Sequence, residues 1–177
     1  MNTLLWLRTD LRLHDNPALA AAAENGTVTA LFLASPGQWR LHGDAPAKVD
    51  FWLRNLRELS ADLGKLGIPL KLLTVSDWSE AASAIADFCQ AHGIAQVHAN
   101  TEWAINERRR DAAVADALQA IGVDWTLHHG ASLLRPGTVL TGKGECYRVY
   151  TPYARTCRER LRTCLLYTSP SPRDRQK

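Results

Sequence analysis

The sequence predicts an α/β domain built on a doubly wound, five-stranded parallel sheet. Three observations lead there. Five short, nearly continuous apolar runs alternate with amphipathic stretches of helical period, the rhythm of successive βαβ units. The runs carry few charges, which suits strands covered by helices on both faces. The stretches between them open and close on helix-end signals.

TLLWL near the start is the first run. Asn16 followed by Pro17 is an N-cap and first-turn pair, because proline lacks an amide that the first turn leaves unpaired anyway; a helix through ALAAAA starts there. VTALFLA at 28 to 34 is the second strand. Val49, Trp52, Leu56, Leu59 and Leu63 then recur every three or four residues as one buried helix face, and Gly64, Gly67 and Pro69 mark its exit. LKLLTV at 70 to 75 is the third strand. Asp77 with Glu80 makes a capping-box-like start, Ala81, Ile85, Phe88 and Cys89 form the stripe, and Gly93 ends the helix. AQVHA at 95 to 99 is the fourth strand. The last helix of the domain runs from about Ile105 to Ile121, with Val114, Ala117, Leu118 and Ile121 inward and Gly122 after it. DWTLH at 124 to 128 is the fifth strand. The whole is Rossmann-like, with residues 1–130 as one domain.

After His129 the chain turns rich in Gly, Thr and turn dipeptides such as Pro136-Gly137, so residues 131–163 read as the start of an interdomain linker. A short basic helix is expected around Ala154 to Leu161. From Cys164 on, CLLYTSPSPRDRQK is unlike anything before it and looks like one frame of a sequencing adapter; residues 164–177 are read as a non-native tail.

At 177 residues, with 46% hydrophobic and 22% charged, the chain suits one core-bearing domain rather than a disordered one. No apolar run approaches the roughly 20 residues of a membrane span, and Arg8, Asp10 and Arg12 come too early for a secretory signal, so a cytoplasmic monomer is the expectation. The four cysteines lack metal or disulfide spacing and read as inert thiols; no metal site is expected. Residues 1 to 150 hold 14 Lys/Arg against 16 Asp/Glu, whereas residues 151 to 177 hold 7 against 2. The α/β body therefore lacks the basic surplus that holds duplex DNA.

In open doubly wound sheets ligands bind beyond the carboxyl ends of the strands, near the point where strand order reverses. The loop after the first strand has neither GxGxxG nor GxxxxGK[ST], which disfavours dehydrogenases and P-loop ATPases. Arg8, Asp10, Arg12 and Asp15 alternate in sign there and are expected to pair with one another and brace the loop. Arg108, Arg109 and Arg110 read as a solvated face, or as a lure for an anionic ligand tail. Trp6 and Trp52 fall on apolar stripes and read as core; His128 and His129 lack metal-site company and read as structural. Asn106 and Glu107, taken alone, are most often a helix start.

WLRTDLRLHDNPAL closely resembles the opening signature of the photolyase and cryptochrome family. LFLASPGQWRLHGDAPAK is similar to its second strand and following loop, AINERRRD to its antenna-site motif, and VLTGKGECYRVYTPYARTCRERL to its run into the catalytic domain. The resemblance covers residues 1 to about 163. It implies the N-terminal half of a deoxyribodipyrimidine photolyase, whose FAD splits cyclobutane pyrimidine dimers under blue light; the FAD and damaged-DNA sites belong to a later helical domain, leaving no catalytic residue here. It implies methenyltetrahydrofolate as the antenna, although flavin and deazaflavin antennas occupy the same region in related branches. The motif turns Asn106 and Glu107 into candidate contacts, since a pterin ring presents an N–H and an amino group side by side and one carboxylate accepts both. His42 lies where the family has a chromophore-contacting histidine, with a solvated loop histidine as the alternative. A cryptochrome-type photoreceptor and a stand-alone nucleotide- or flavin-binding module are the competing readings.

Overall fold

The computed structural model describes residues 1–24 and 26–164, with side chains to 162. The chain divides into two compact units, Met1–Ala131 and Ser132–Lys177. The first unit holds all five strands: β1 (Asn2–Leu7), β2 (Thr27–Ala34), β3 (Leu70–Thr74), β4 (Ile94–Asn100) and β5 (Asp124–His128). All are parallel, in the order β3-β2-β1-β4-β5. The chain winds outward from β1 through β2 to β3, then returns to β1's other side for β4 and β5. Strand order thus reverses between β1 and β4, and their carboxyl ends open a crevice there.

Period-two alternation along β1 sends its side chains to two separate cores. Leu4 and Trp6, with Leu31, Leu33, Val97 and Ala99, pack against α4 (Ala81–His92) and α5 (Ile105–Ala120). Leu5 and Leu7, with Val28, Ala30, Phe32 and Ala34, pack against α1 (Pro17–Glu24) and α3 (Pro46–Lys65). A fully buried leucine contributes about 1.5–3 kcal/mol, so these two stripes dominate stability. Within the first core, burial pushes the Cys89 thiol up to about 12.

Helix ends follow the local signals. The Asn16 side chain accepts from the Leu19 amide at 3.1 Å, capping α1. Asp77 accepts from the Ser79 amide at 2.8 Å while Glu80 accepts from the Ser76 amide at 2.9 Å, a reciprocal brace displaced by one residue from a capping box. It starts a 3₁₀ turn, Trp78–Glu80, that runs into α4. Gly93 closes α4 at φ +59°, left-handed backbone that glycine adopts without strain.

Four expectations need correcting. β3 and β5 are not covered on both faces; their side chains are largely half-buried or exposed, because they are the sheet's edges. A six-residue helix, α2 (Pro36–Leu41), follows β2 and is too short to show a period. Val49 and Trp52 are only half-buried, and α3 buries side chains only from Leu56 on. Gly64 lies inside α3 rather than at its exit, which is made by Gly67 at φ +75°.

The second unit carries an isolated bridge between Leu140 and Cys146 and the helix α6 (Tyr150–Cys164), four residues longer at its start than the basic turn predicted. Of the stretch read as a non-native tail, residues 164–177, Cys164 is the last residue of α6 and residues 165–177 lie outside the described residues. No described helix is long and apolar enough to cross a membrane.

Candidate functional site

Where β1 ends, Arg8 turns inward and is only 7% exposed. Its Nη1 donates to both carboxylate oxygens of Asp111, at 2.8 and 2.7 Å, and its Nη2 to the Asn100 carbonyl. Arg110, equally buried, donates to Glu102 at 2.7 Å and to Asp111 at 2.8 and 3.0 Å. Its guanidinium lies between the indoles of Trp6 and Trp78, 4.8 and 4.6 Å from their centroids. Thr9 donates to the other Glu102 oxygen at 2.5 Å. Burial by itself raises the Glu102 carboxyl, but the Arg8 and Arg110 guanidinium groups, with the Thr9 hydroxyl, overcome it and hold the group below the ordinary range. Two cations and two anions thus form a neutral lattice under the crevice.

These partners differ from those expected. Arg8 pairs with α5 and the β4 loop rather than with Asp10 or Asp15, and Arg12 donates instead to the carbonyls of Asp15 and Gly130. Arg110 is no part of a solvated face. Extending the Leu118–Val114 spacing back by four residues lands on Arg110, so the helical period did carry a signal for its burial.

Above the lattice lies a crevice of about 720 Å³, its open mouth included. Its walls are mainly Trp39, Trp52, Trp78 and Phe32. Trp39 and Trp52 are 6.0 Å apart at 56°, and Lys48, paired with Asp44 at 2.6 Å, sits over Trp52. Trp52 is therefore wall rather than core, whereas Trp6 is 1% exposed and core in fact. Nothing in the sequence distinguishes Trp39 and Trp78 as wall residues, because an aromatic side chain carries no local mark that separates a cleft wall from a core.

The candidates divide. His42 and Glu107 both line this crevice; Asn106 does not, and faces a neighbouring groove with His42, Trp78 and Arg109. Successive helix residues point about 100° apart, which turns Asn106 away from the crevice that Glu107 lines. His42 stands edge-on to Trp78 at 5.2 Å, and its Nε2 is 2.9 Å from Gln38 Nε2. Glu107 also lines an adjoining cleft with Thr9, Asp10 and Trp103. No donor from the described residues engages the Glu107 carboxylate, in contrast to Glu102, Asp111 and Asp44 around it. His98 and His128 contact each other at 2.8 Å, apart from this crevice.

The family model described as DNA photolyase matches residues 3–173. The chain belongs to the DNA photolyase family. Among relatives, it is 36% identical to a deoxyribodipyrimidine photo-lyase of Salmonella typhimurium, over 97% of this chain and 36% of that one. It is 37% identical to the Escherichia coli deoxyribodipyrimidine photo-lyase, over 90% of this chain and 34% of that one. A bacterial class III photolyase from Agrobacterium tumefaciens superposes with a TM-score of 0.71 at 28% identity, covering 89% of this chain and 31% of that one. The chain spans about a third of the length of these photolyases.

Proposed function

We propose that residues 1–130 are the chromophore-seating α/β domain of a deoxyribodipyrimidine photolyase, a carbon–carbon lyase that splits cyclobutane pyrimidine dimers in damaged DNA. Residues 131–163 lead on to the FAD-binding helical domain of that cytoplasmic, monomeric enzyme, and FAD and DNA are held there. The chromophore seated here is methenyltetrahydrofolate, which absorbs near-ultraviolet light and passes the excitation on. The observation that carries this reading is Glu107: a carboxylate with no donor from the described residues, at the mouth of a tryptophan-walled crevice, at the point where strand order reverses.

The residues suit the group. Glu107 is the acceptor for the pterin's adjacent N–H and amino donors, the indole walls supply stacking surface, and His42 closes one side. Asn106, on the neighbouring face, reaches the ligand only where it extends past Glu107.

Titration of the chain with methenyltetrahydrofolate, followed by its near-ultraviolet absorbance, tests the assignment. Glu107→Gln turns one fork position into a donor facing a donor, and an unpaired buried donor costs about 1–3 kcal/mol, so binding should weaken roughly ten- to a hundredfold. Equal affinity in variant and parent overturns the Glu107 assignment. The chain alone should neither retain flavin nor split thymine dimers under blue light, and light-dependent repair by it would overturn the division of labour proposed above.

A further inference from the structure

We infer that Gln38 is a positioning residue of the crevice: it fixes His42 with its hydrogen on Nδ1 and ties the helix that carries His42 to the turn that carries Trp78. The inference rests on the crevice being the chromophore seat but not on the identity of that chromophore. Gln38 is a buried polar side chain, 8% exposed, on a helix of only six residues. An amide side chain has two unlike ends, one that accepts and one that donates. The Oε1 end of Gln38 accepts from the Trp78 backbone amide at 3.4 Å. The Nε2 end, which only donates, therefore lies against His42 Nε2 at 2.9 Å. A hydrogen on His42 Nε2 would set donor against donor, so this nitrogen is the acceptor and the ring's hydrogen sits on Nδ1. Turning the Gln38 amide over gives no escape, because its amino end would then face the Trp78 N–H.

The anchorage is built into both segments. Gly37, the residue before Gln38, donates its amide to the Ser76 carbonyl at 2.8 Å, and a Cβ at Gly37 would stand 2.4 Å from that oxygen. Only glycine permits α2 to approach the backbone of Ser76 this closely, and that approach sets Gln38 beside Trp78. Four residues on, His42 is the C-cap of α2 and stands edge-on to the Trp78 indole at 5.2 Å. One amide thus fixes two residues that line the crevice, His42 by its ring and Trp78 by its backbone. With Nε2 occupied, Nδ1 is the nitrogen that His42 has left for a ligand, and it donates. The crevice accordingly favours a ring that brings a carbonyl oxygen or a bare ring nitrogen to that side.

Proton–nitrogen correlation NMR of the isotope-labelled chain at about pH 8, above the ordinary histidine range, reads the tautomer directly, with the His42 signals assigned by their loss in His42→Asn. In the parent chain His42 Nε2 should be bare and Nδ1 protonated. Gln38→Glu, which keeps the size and replaces the donor by an acceptor, should move the hydrogen onto Nε2. Gln38→Met removes both bonds and should free the ring to take the Nε2–H form. Methenyltetrahydrofolate, titrated by its near-ultraviolet absorbance, should then bind about three- to tenfold more weakly, because only part of the population still offers Nδ1–H. A merely structural role for Gln38 would move the hydrogen on neither nitrogen. A protonated Nε2 in the parent overturns the inference, as does a bare Nε2 in Gln38→Glu, and unchanged folate affinity in Gln38→Met overturns the link from tautomer to binding. Should Gln38→Met fail to fold, Gln38→Glu still decides the matter. Failure of the folate reading looks different: methenyltetrahydrofolate then does not bind the parent, while His42 still has its bare Nε2 there and a protonated one in Gln38→Glu.

Discussion

Asp111 accepts from Arg8 and Arg110 at once, and all three side chains are about nine-tenths buried or more. Removing the carboxylate leaves two guanidinium groups sharing only Glu102 in a low-dielectric pocket, an imbalance that typically costs about 3–5 kcal/mol. Asp111→Ala is expected to reduce the unfolding free energy by that amount in urea titrations. A loss below about 1 kcal/mol would mean that water reaches the lattice and screens it. Glu107, on the adjacent turn of the same helix, predicts the opposite pattern: its substitution changes ligand affinity and leaves stability nearly untouched, because it makes no bond within the described residues.

At the scale of elements, α1 is an eight-residue, alanine-rich helix too short to be stable by propensity, so its position depends on packing and on its cap. Asn16→Ala removes the acceptor of the Leu19 amide and a contact to Asn100, and should cost about 0.5–2 kcal/mol, read as a shift of the denaturation midpoint with unchanged slope. Asn16 and Pro17 announce that cap in the sequence, because the capping bond is local. The contribution of Asn100 to the same helix end has no local signature, since it arrives from a strand more than eighty residues away.

Across the whole molecule, stability depends on pH through the paired histidines. Burial holds His98 below its ordinary value of 6.5, the neighbouring His128 lowers it further, and Glu24 opposes both; burial likewise lowers His128. The unfolded chain therefore binds protons more readily than the folded one, so stability is full above 6.5 and is lost as pH falls from 6.5 towards the lowered folded values. Glu102 acts in the same direction, but only as pH falls below 4.5. Unfolding free energies at about pH 7.5 and about pH 5.5 should differ in favour of the higher pH, and the difference should shrink in the double variant His98→Gln, His128→Gln. An unchanged pH dependence in that variant would assign the effect to other groups.

The five strands, their order in the chain and the helix stripes were legible because period and end signals are local: Leu56, Leu59 and Leu63 declare a buried face, and Gly93 declares its end, without reference to anything distant. The family motif likewise marked Asn106, Glu107 and His42 as candidates. What surrounds each of those side chains was decided only by tertiary structure. Alternating charges at Arg8, Asp10, Arg12 and Asp15 suggested pairing within the loop, yet Arg8 finds Asp111, 103 positions away, because the reversal of strand order places the start of α5 over the end of β1. Trp6 and Trp52 look alike in the sequence; one lies in the core because β1 is the central strand, and the other lines the crevice from a part of α3 that buries no side chain. Whether a charge is satisfied or left over depends on which distant groups the fold brings to it, and that separates Arg110, locked in a neutral lattice, from Glu107, which no donor among the described residues engages.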